Sequence, residues 1–165
     1  MNTSDTPPAE HQIDPDHLPT PFSAAQIREA CAPGRSNRFR VTSGAATSVT
    51  VWEFFAGDDA GGWGRSWSEA TDGTPGDDVS ESYSTWEDLQ GHASYPMDRT
   101  TVEPALLEIA AGAFECWLYQ SSTDDGSLTR AWFARNLPGP PVLFEMVADG
   151  QVVNRSELIE FVDPR

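Results

Sequence analysis

The feature that most restricts this chain is a recurrent pairing of short alternating runs with glycine- or proline-bearing turn signals. Alternation of apolar and polar residues places every second side chain on one face of an extended strand. The turn dipeptides let the chain reverse within a few residues. The clearest case lies at the C-terminal end, where residues 142–147 and a run from Val152 to about Val162 flank Asp149-Gly150. Asp125-Gly126 predicts a second reversal, between 114–119 and 128–135. Upstream, Phe39 and Val41 alternate with Arg38, Arg40 and Thr42, and Val49 and Val51 lead into the aromatic run 52–55. Trp63, Arg65, Trp67 and Glu69 alternate again, although Gly61, Gly62 and Gly64 loosen that run. Residues 70–78 read as a loop, followed by a strand through Val79, Glu81 and Tyr83. Pro104 interrupts 101–109 and assigns it to an edge or a bulge, because proline cannot donate to a ladder.

Two short helices complete the pattern. Ser23 and Gln26 form a capping box, and Phe22 with Ile27 supply the matching hydrophobic staple. Pro33-Gly34 ends that helix near Cys31. The second runs from about Thr85 to His92, with Ser84 or Thr85 as cap, acidic residues in its first turn, and Trp86 and Leu89 on its apolar face. Pro96 stops it from continuing. Roughly nine strands and two helices define a β-rich α+β chain, a curved antiparallel sheet packed on one or two short helices. Residues 22–165 read as one such domain, and residues 1–21, acidic, proline-rich and without a basic side chain, as a disordered tail. His11 and His17 in that tail read as incidental polar residues rather than a metal site.

Charge excludes more partners than it suggests. The 165 residues carry a formal charge of -16, and all ten basic side chains are arginine. Nucleic-acid affinity and anionic membrane binding both rest on basic side chains, so neither partner is expected. No run of about 18 apolar residues predicts a membrane-spanning helix. The N-terminal residues lack a basic region followed by an apolar stretch, which makes a cytoplasmic location the expectation. Cys31 and Cys116 then read as free, buried thiols.

The segment from Ala111 to Trp117, followed by Trp132-Phe133-Ala134 and Leu137-Pro138, resembles bacterial half-barrel proteins similar to the outer-membrane lipoprotein carriers and their soluble relatives. The resemblance covers about 50 residues near the C-terminus. It implies a half-barrel or open-barrel sheet around one or more helices, with an apolar cavity that in the carriers takes acyl chains. It carries over no catalytic residue.

The residues themselves offer few reactive groupings. His92, with Tyr95 or Asp98 to orient it, is the one general-base candidate, set against a helix-end histidine that satisfies carbonyls. Cys116 shares a strand face with Phe114 and Leu118 and reads as core. The pairs Asp58-Asp59, Asp77-Asp78 and Asp124-Asp125 lack calcium-loop spacing and read as solvated turns. Glu53, Glu69, Glu81 and Glu115 fall within strands, where two of them could face each other. Arg35, Arg38 and Arg40 form the single positive island, which suits either an anionic ligand or internal neutralisation.

The six tryptophans remain. Trp63 and Trp67 share a face by spacing, and Trp117 and Trp132 lie on candidate neighbouring strands, either as packing anchors or as the wall of a ligand cavity. The resulting expectation is a non-enzymatic domain without cofactor or metal. It binds an apolar small molecule or acyl group through Trp63, Trp67, Trp117 and Trp132, with Arg38 and Arg40 at a polar end. The alternative is a protein-interaction module or homodimer using an aromatic sheet face, and a small-molecule enzyme using His92 ranks third.

Overall fold

The computed structural model describes residues 5–164. Nine strands form one antiparallel sheet: β1 (Ser36–Ser43), β2 (Ala46–Gly57), β3 (Gly61–Glu69), β4 (Pro75–Thr85), β5 (Thr100–Ile109), β6 (Gly112–Ser122), β7 (Leu128–Ala134), β8 (Leu143–Ala148) and β9 (Gln151–Val162). Their order is β4-β3-β2-β1-β9-β8-β7-β6-β5, so two meanders join where β1 pairs with β9. Helix α1 (Ala24–Ala30) precedes the sheet, and α2 (Trp86–Gly91) lies between the meanders.

Local chemistry explains the boundaries. Asp149 and Gly150 adopt φ of 52° and 74° between Ala148 and Gln151, the left-handed pair that a two-residue hairpin turn requires. Ser23 and Gln26 exchange both capping bonds at the start of α1. Thr85 caps α2 by accepting from the Asp88 N–H at 3.0 Å. β5 runs unbroken through Pro104, and it does so as an edge strand. β4 begins at Pro75, four residues before the expected start at Val79; its Pro75–Glu69 pairing closes the hairpin with a five-residue loop.

The connection between β4 and β5 forces the sheet to curl, because those strands are its two opposite edges. Nine flat strands would separate the edges by about 38 Å. Residues 86–99 must bridge them with a six-residue helix, which advances about 9 Å, and eight further residues that span at most about 28 Å when fully stretched. A turn after α2 and the 3-10 segment Met97–Arg99 consume that length. The edges therefore approach one another, and the concave face that results holds α1 and α2.

Two apolar clusters fill the molecule. One joins Phe22, Ile27 and Cys31 near α1, Trp86 and Ala93 near α2, and Phe54, Tyr119 and Phe133 of the sheet. The other joins Phe39, Phe114, Cys116, Ala134, Leu137, Val142 and Leu158.

The expected tail is replaced, over residues 5–21, by a packed strap; residues 1–4 of that expectation lie outside the described residues. Thr20 and Pro21 are fully buried and His11 nearly so. Thr20 Oγ1 shares its one proton between the carbonyls of Phe22, at 2.8 Å, and His11, at 3.2 Å, and accepts from Gln90 Nε2. Leu18 N–H donates to Tyr95 O at 2.9 Å, Tyr119 Oη donates to Pro19 O at 2.5 Å, and His17 Nδ1 lies 2.8 Å from Ser94 Oγ. Composition registers only the apolar area that the segment itself owns. Here the segment gains its partners from α2 and β6, and its prolines lower the entropy lost on ordering.

Candidate ligand cavity

Helix α1 turns Ile27 inward and ends at Cys31; α2 contributes Leu89, followed by His92 and Ala93. Beneath them the sheet supplies Trp52 and Phe54 from β2, Phe133 from β7 and Phe144 from β8. Tyr95 and the Gly139-Pro140-Pro141 segment complete the wall. These side chains enclose a cavity of about 350 Å³. That volume falls within the range of small-molecule sites, about 300–1,000 Å³.

The cavity holds its shape through ring contacts. Trp52 meets Phe54 edge-on at 5.4 Å between centroids, and Phe54 meets Trp86 at 6.0 Å. Gly62 makes the Trp86 position available, because a Cβ there would stand 2.6 Å from the indole. Burial pushes the Tyr95 hydroxyl above its ordinary range, which leaves it a neutral phenol at physiological pH. The remaining ionisable groups of the wall are His92 and Cys31.

Trp52 also ties the cavity to two neighbouring depressions. One, of about 340 Å³, shares Trp52, Phe54 and Leu89 and extends over Thr50, Ser66, Ser82 and Ser84. The other, of about 290 Å³, shares Trp52, Pro140, Pro141 and Phe144 and reaches Phe39, Val41 and Ser156. The concave face is thus a continuous trough across both sides of the β1–β9 pairing.

None of the six residues expected to bind ligand lines this cavity. Trp63 and Trp67 do share a face, since Trp63 pairs with Tyr83 and Trp67 with Val79. Trp67 also pairs with Val51, however, and Val51 points away from its neighbour Trp52, so that face is opposite the cavity. Trp117 and Trp132 are not brought together: Trp117 stands opposite Phe133 and Trp132 opposite Leu118 in the same ladder, which puts them on different faces. Trp117 packs edge-on against Phe22 at 6.4 Å and lies under the Arg135 guanidinium at 4.7 Å. Trp132 packs against the second apolar cluster. Arg38 pairs with Glu69 and Glu160, and Arg40 with Glu157. A further run of charge crosses the same sheet face, from Arg130 to Glu145, Arg155 and Glu157.

The other candidates resolve individually. His92 closes α2 with its backbone N–H on Asp88 O and is exposed at the cavity wall. Cys116 is fully buried, and burial pushes its thiol up to about 11, which removes the thiolate that nucleophilic chemistry needs. Glu53 pairs with Arg65, and Glu69 pairs with Arg38 and accepts from Trp67 Nε1 at 3.1 Å; Glu81 and Glu115 are exposed. Inside turns, the backbone N–H groups of Gly61 and Ala60 hold the Asp58 carboxyl below its ordinary range, and the Thr123 hydroxyl with the Ser127 N–H holds that of Asp125 down at about 2. The side chain of Asp77 lies outside the described residues. Among the described residues no group of three or more potential metal ligands occurs, and no helix is long and apolar enough to cross a membrane.

An open antiparallel half-barrel with short helices on its concave face is the class this architecture defines. No protein-family model matches the sequence, and no curated protein matches it. Among solved structures it is similar to the crystal structure of MucB, with a TM-score of 0.60 at 9% identity over 84% of this chain and 56% of that one. It is also similar to MucB in complex with MucA(peri), with a TM-score of 0.59, 11% identity and coverage of 86% and 55%. A third match is the Pseudomonas aeruginosa MucA/MucB complex, with a TM-score of 0.56, 11% identity and coverage of 86% and 56%. The chain therefore spans little more than half the length of those proteins, and at this identity the likeness is one of fold.

The cavity residues missed by sequence reading had a signal. Trp52 and Phe54 alternate within β2 and so share a face. What the sequence lacked was the direction of that face, which depends on where α1 and α2 settle.

Proposed function

We propose that this protein binds an apolar small molecule or acyl group on the concave face of its half-barrel. The observation that carries the reading is the cavity of about 350 Å³, walled by α1, α2, Trp52, Phe54, Phe133, Phe144 and the Pro140-Pro141 segment. Apolar walls around a space of this size offer an apolar occupant van der Waals contacts on every side. The test is titration with N-phenylnaphthylamine, whose emission rises in an apolar site. Wild-type protein should bind the dye saturably. Ala93→Phe, which places a ring in the cavity, should weaken binding by at least about tenfold while leaving the circular dichroism unchanged. Equal binding by both proteins would remove the reading.

A second reading, a protein-interaction module, is favoured by a separate observation. The β3–β4 edge exposes Trp63, Tyr83 and Val79 on the face opposite the cavity, Trp63 paired with Tyr83 at 5.5 Å between rings and Val79 two rows on, past Arg65 and Glu81. Two of the similar structures are complexes of MucB with MucA, which supports a protein partner for this chain too. Light scattering addresses a homodimer directly: a dimer mass that Trp63→Ser with Tyr83→Ser converts to a monomer supports it, and a wild-type monomer removes it.

A further inference from the structure

We infer that the ligand is a single-chain amphiphile with an uncharged, hydroxyl-bearing head, and that the trough discriminates against the same chain ending in a carboxylate. This rests on the cavity reading above and assigns its polar end. The depression that continues the cavity past Trp52 and Leu89 is bordered by the hydroxyls of Thr50, Ser66, Ser82 and Ser84. Gly62 pairs with Ser84 and Gly64 with Ser82; the Trp86 and Phe54 rings cover Gly62, while Gly64 leaves the floor beside Ser82 without a side chain of its own. A chain in the cavity therefore leads directly to a shallow, polar recess where hydroxyls can give and accept hydrogen bonds.

Among the described residues the recess has no cation free to meet an anion. Its one basic residue is Arg65, whose Nε is committed to Glu53 and whose guanidinium stacks over Phe55 at 5.0 Å. Among the described residues no carboxylate and no other arginine lines the cavity or the recess, His92 of the cavity wall is the remaining basic side chain, and the chain contains no lysine. Elsewhere Arg28, Arg38, Arg40, Arg99, Arg130 and Arg155 are ion-paired, and the chain as a whole carries -16. An anionic head would find hydroxyl donors but no counter-ion to offset its lost hydration, and would enter a repulsive field. A neutral glyceryl or sugar head exchanges its water for serine hydroxyls and meets no such field.

The experiment compares monooleoylglycerol with oleate, which share a chain and differ at the head, as competitors for bound N-phenylnaphthylamine at a pH where oleate is ionised. Monooleoylglycerol should displace the dye at concentrations at least about tenfold lower than oleate. Ser82→Arg, on the exposed edge strand β4, should narrow or reverse that ratio by supplying the missing cation. Equal displacement by the two lipids, or a ratio that Ser82→Arg leaves untouched, overturns the assignment of the head while the cavity reading stands. Failure of the dye to bind removes both.

Discussion

The two apolar clusters are fed by the same strands yet differ in how completely they close. On β6 and β7, Tyr119 and Phe133 turn toward the helices, while Cys116 and Ala134 turn the other way into the second cluster. In the second cluster, strand residues and the 137–142 connector meet one another, and Cys116, Ala134, Val142 and Leu158 are almost wholly buried. The first must be roofed by α1 and α2, of seven and six residues, each only about 10 Å long. Two such helices cannot cover a floor that crosses the sheet, and the rings of Trp52, Phe54, Phe133 and Phe144 on that floor are too rigid to collapse into the gap. Strand against strand closes; short helix against a curled sheet leaves room.

If that contrast is right, truncation should be most damaging where packing is complete. Leu158→Ala should cost about 2–5 kcal/mol, read as a shift in urea midpoint, because its neighbours cannot relax into the void. Thr20→Val should follow at about 1–3 kcal/mol, since it removes the hydroxyl that bonds the Phe22 and His11 carbonyls and accepts from the Gln90 amide, leaving Gln90 and His11 with fewer partners. A null effect there would mean that the strap adds nothing to the open cluster. Ile27→Ala should cost less than Leu158→Ala, about 1–2 kcal/mol, as it enlarges a space that already exists. A larger loss at Ile27 would break the contrast. The smallest effect concerns the exposed Asp125 turn. Its carboxyl titrates lower in the folded chain than in the unfolded one, so its contribution is present above about pH 4 and fades as pH falls through about 2. Asp125→Asn should flatten the local amide-exchange response of the β6–β7 turn over that window.

Legibility followed the range of the interactions. The Ser23–Gln26 box, the Thr85 cap and the Asp149-Gly150 turn are settled within four residues, and each appears where the sequence places it. Pro104 announced its edge strand for an equally local reason. The strap over residues 5–21 was illegible because its partners, Gln90, Ser94, Tyr95 and Tyr119, are about 70 to 100 positions away. The cavity failed for a related reason. Spacing correctly put Trp63 and Trp67 on one face, but the choice between the two faces belongs to the curl imposed by residues 86–99. Arginine pairing was foreseeable in kind, yet the carboxylates that meet Arg38 and Arg40, Glu69 and Glu157 among them, follow from sheet register.

The junction between the meanders sets an order of events. β1 is synthesised early, but its second neighbour is β9, so a nascent chain can zip β1 to β4 and later β5 to β8 while the seam between them stays open. Phe39 and Val41 stand on one side of that seam and Ser156 and Phe144 on the other, all bordering the trough. The full trough therefore cannot exist on a partly made chain. Its appearance marks the moment at which the last strand docks.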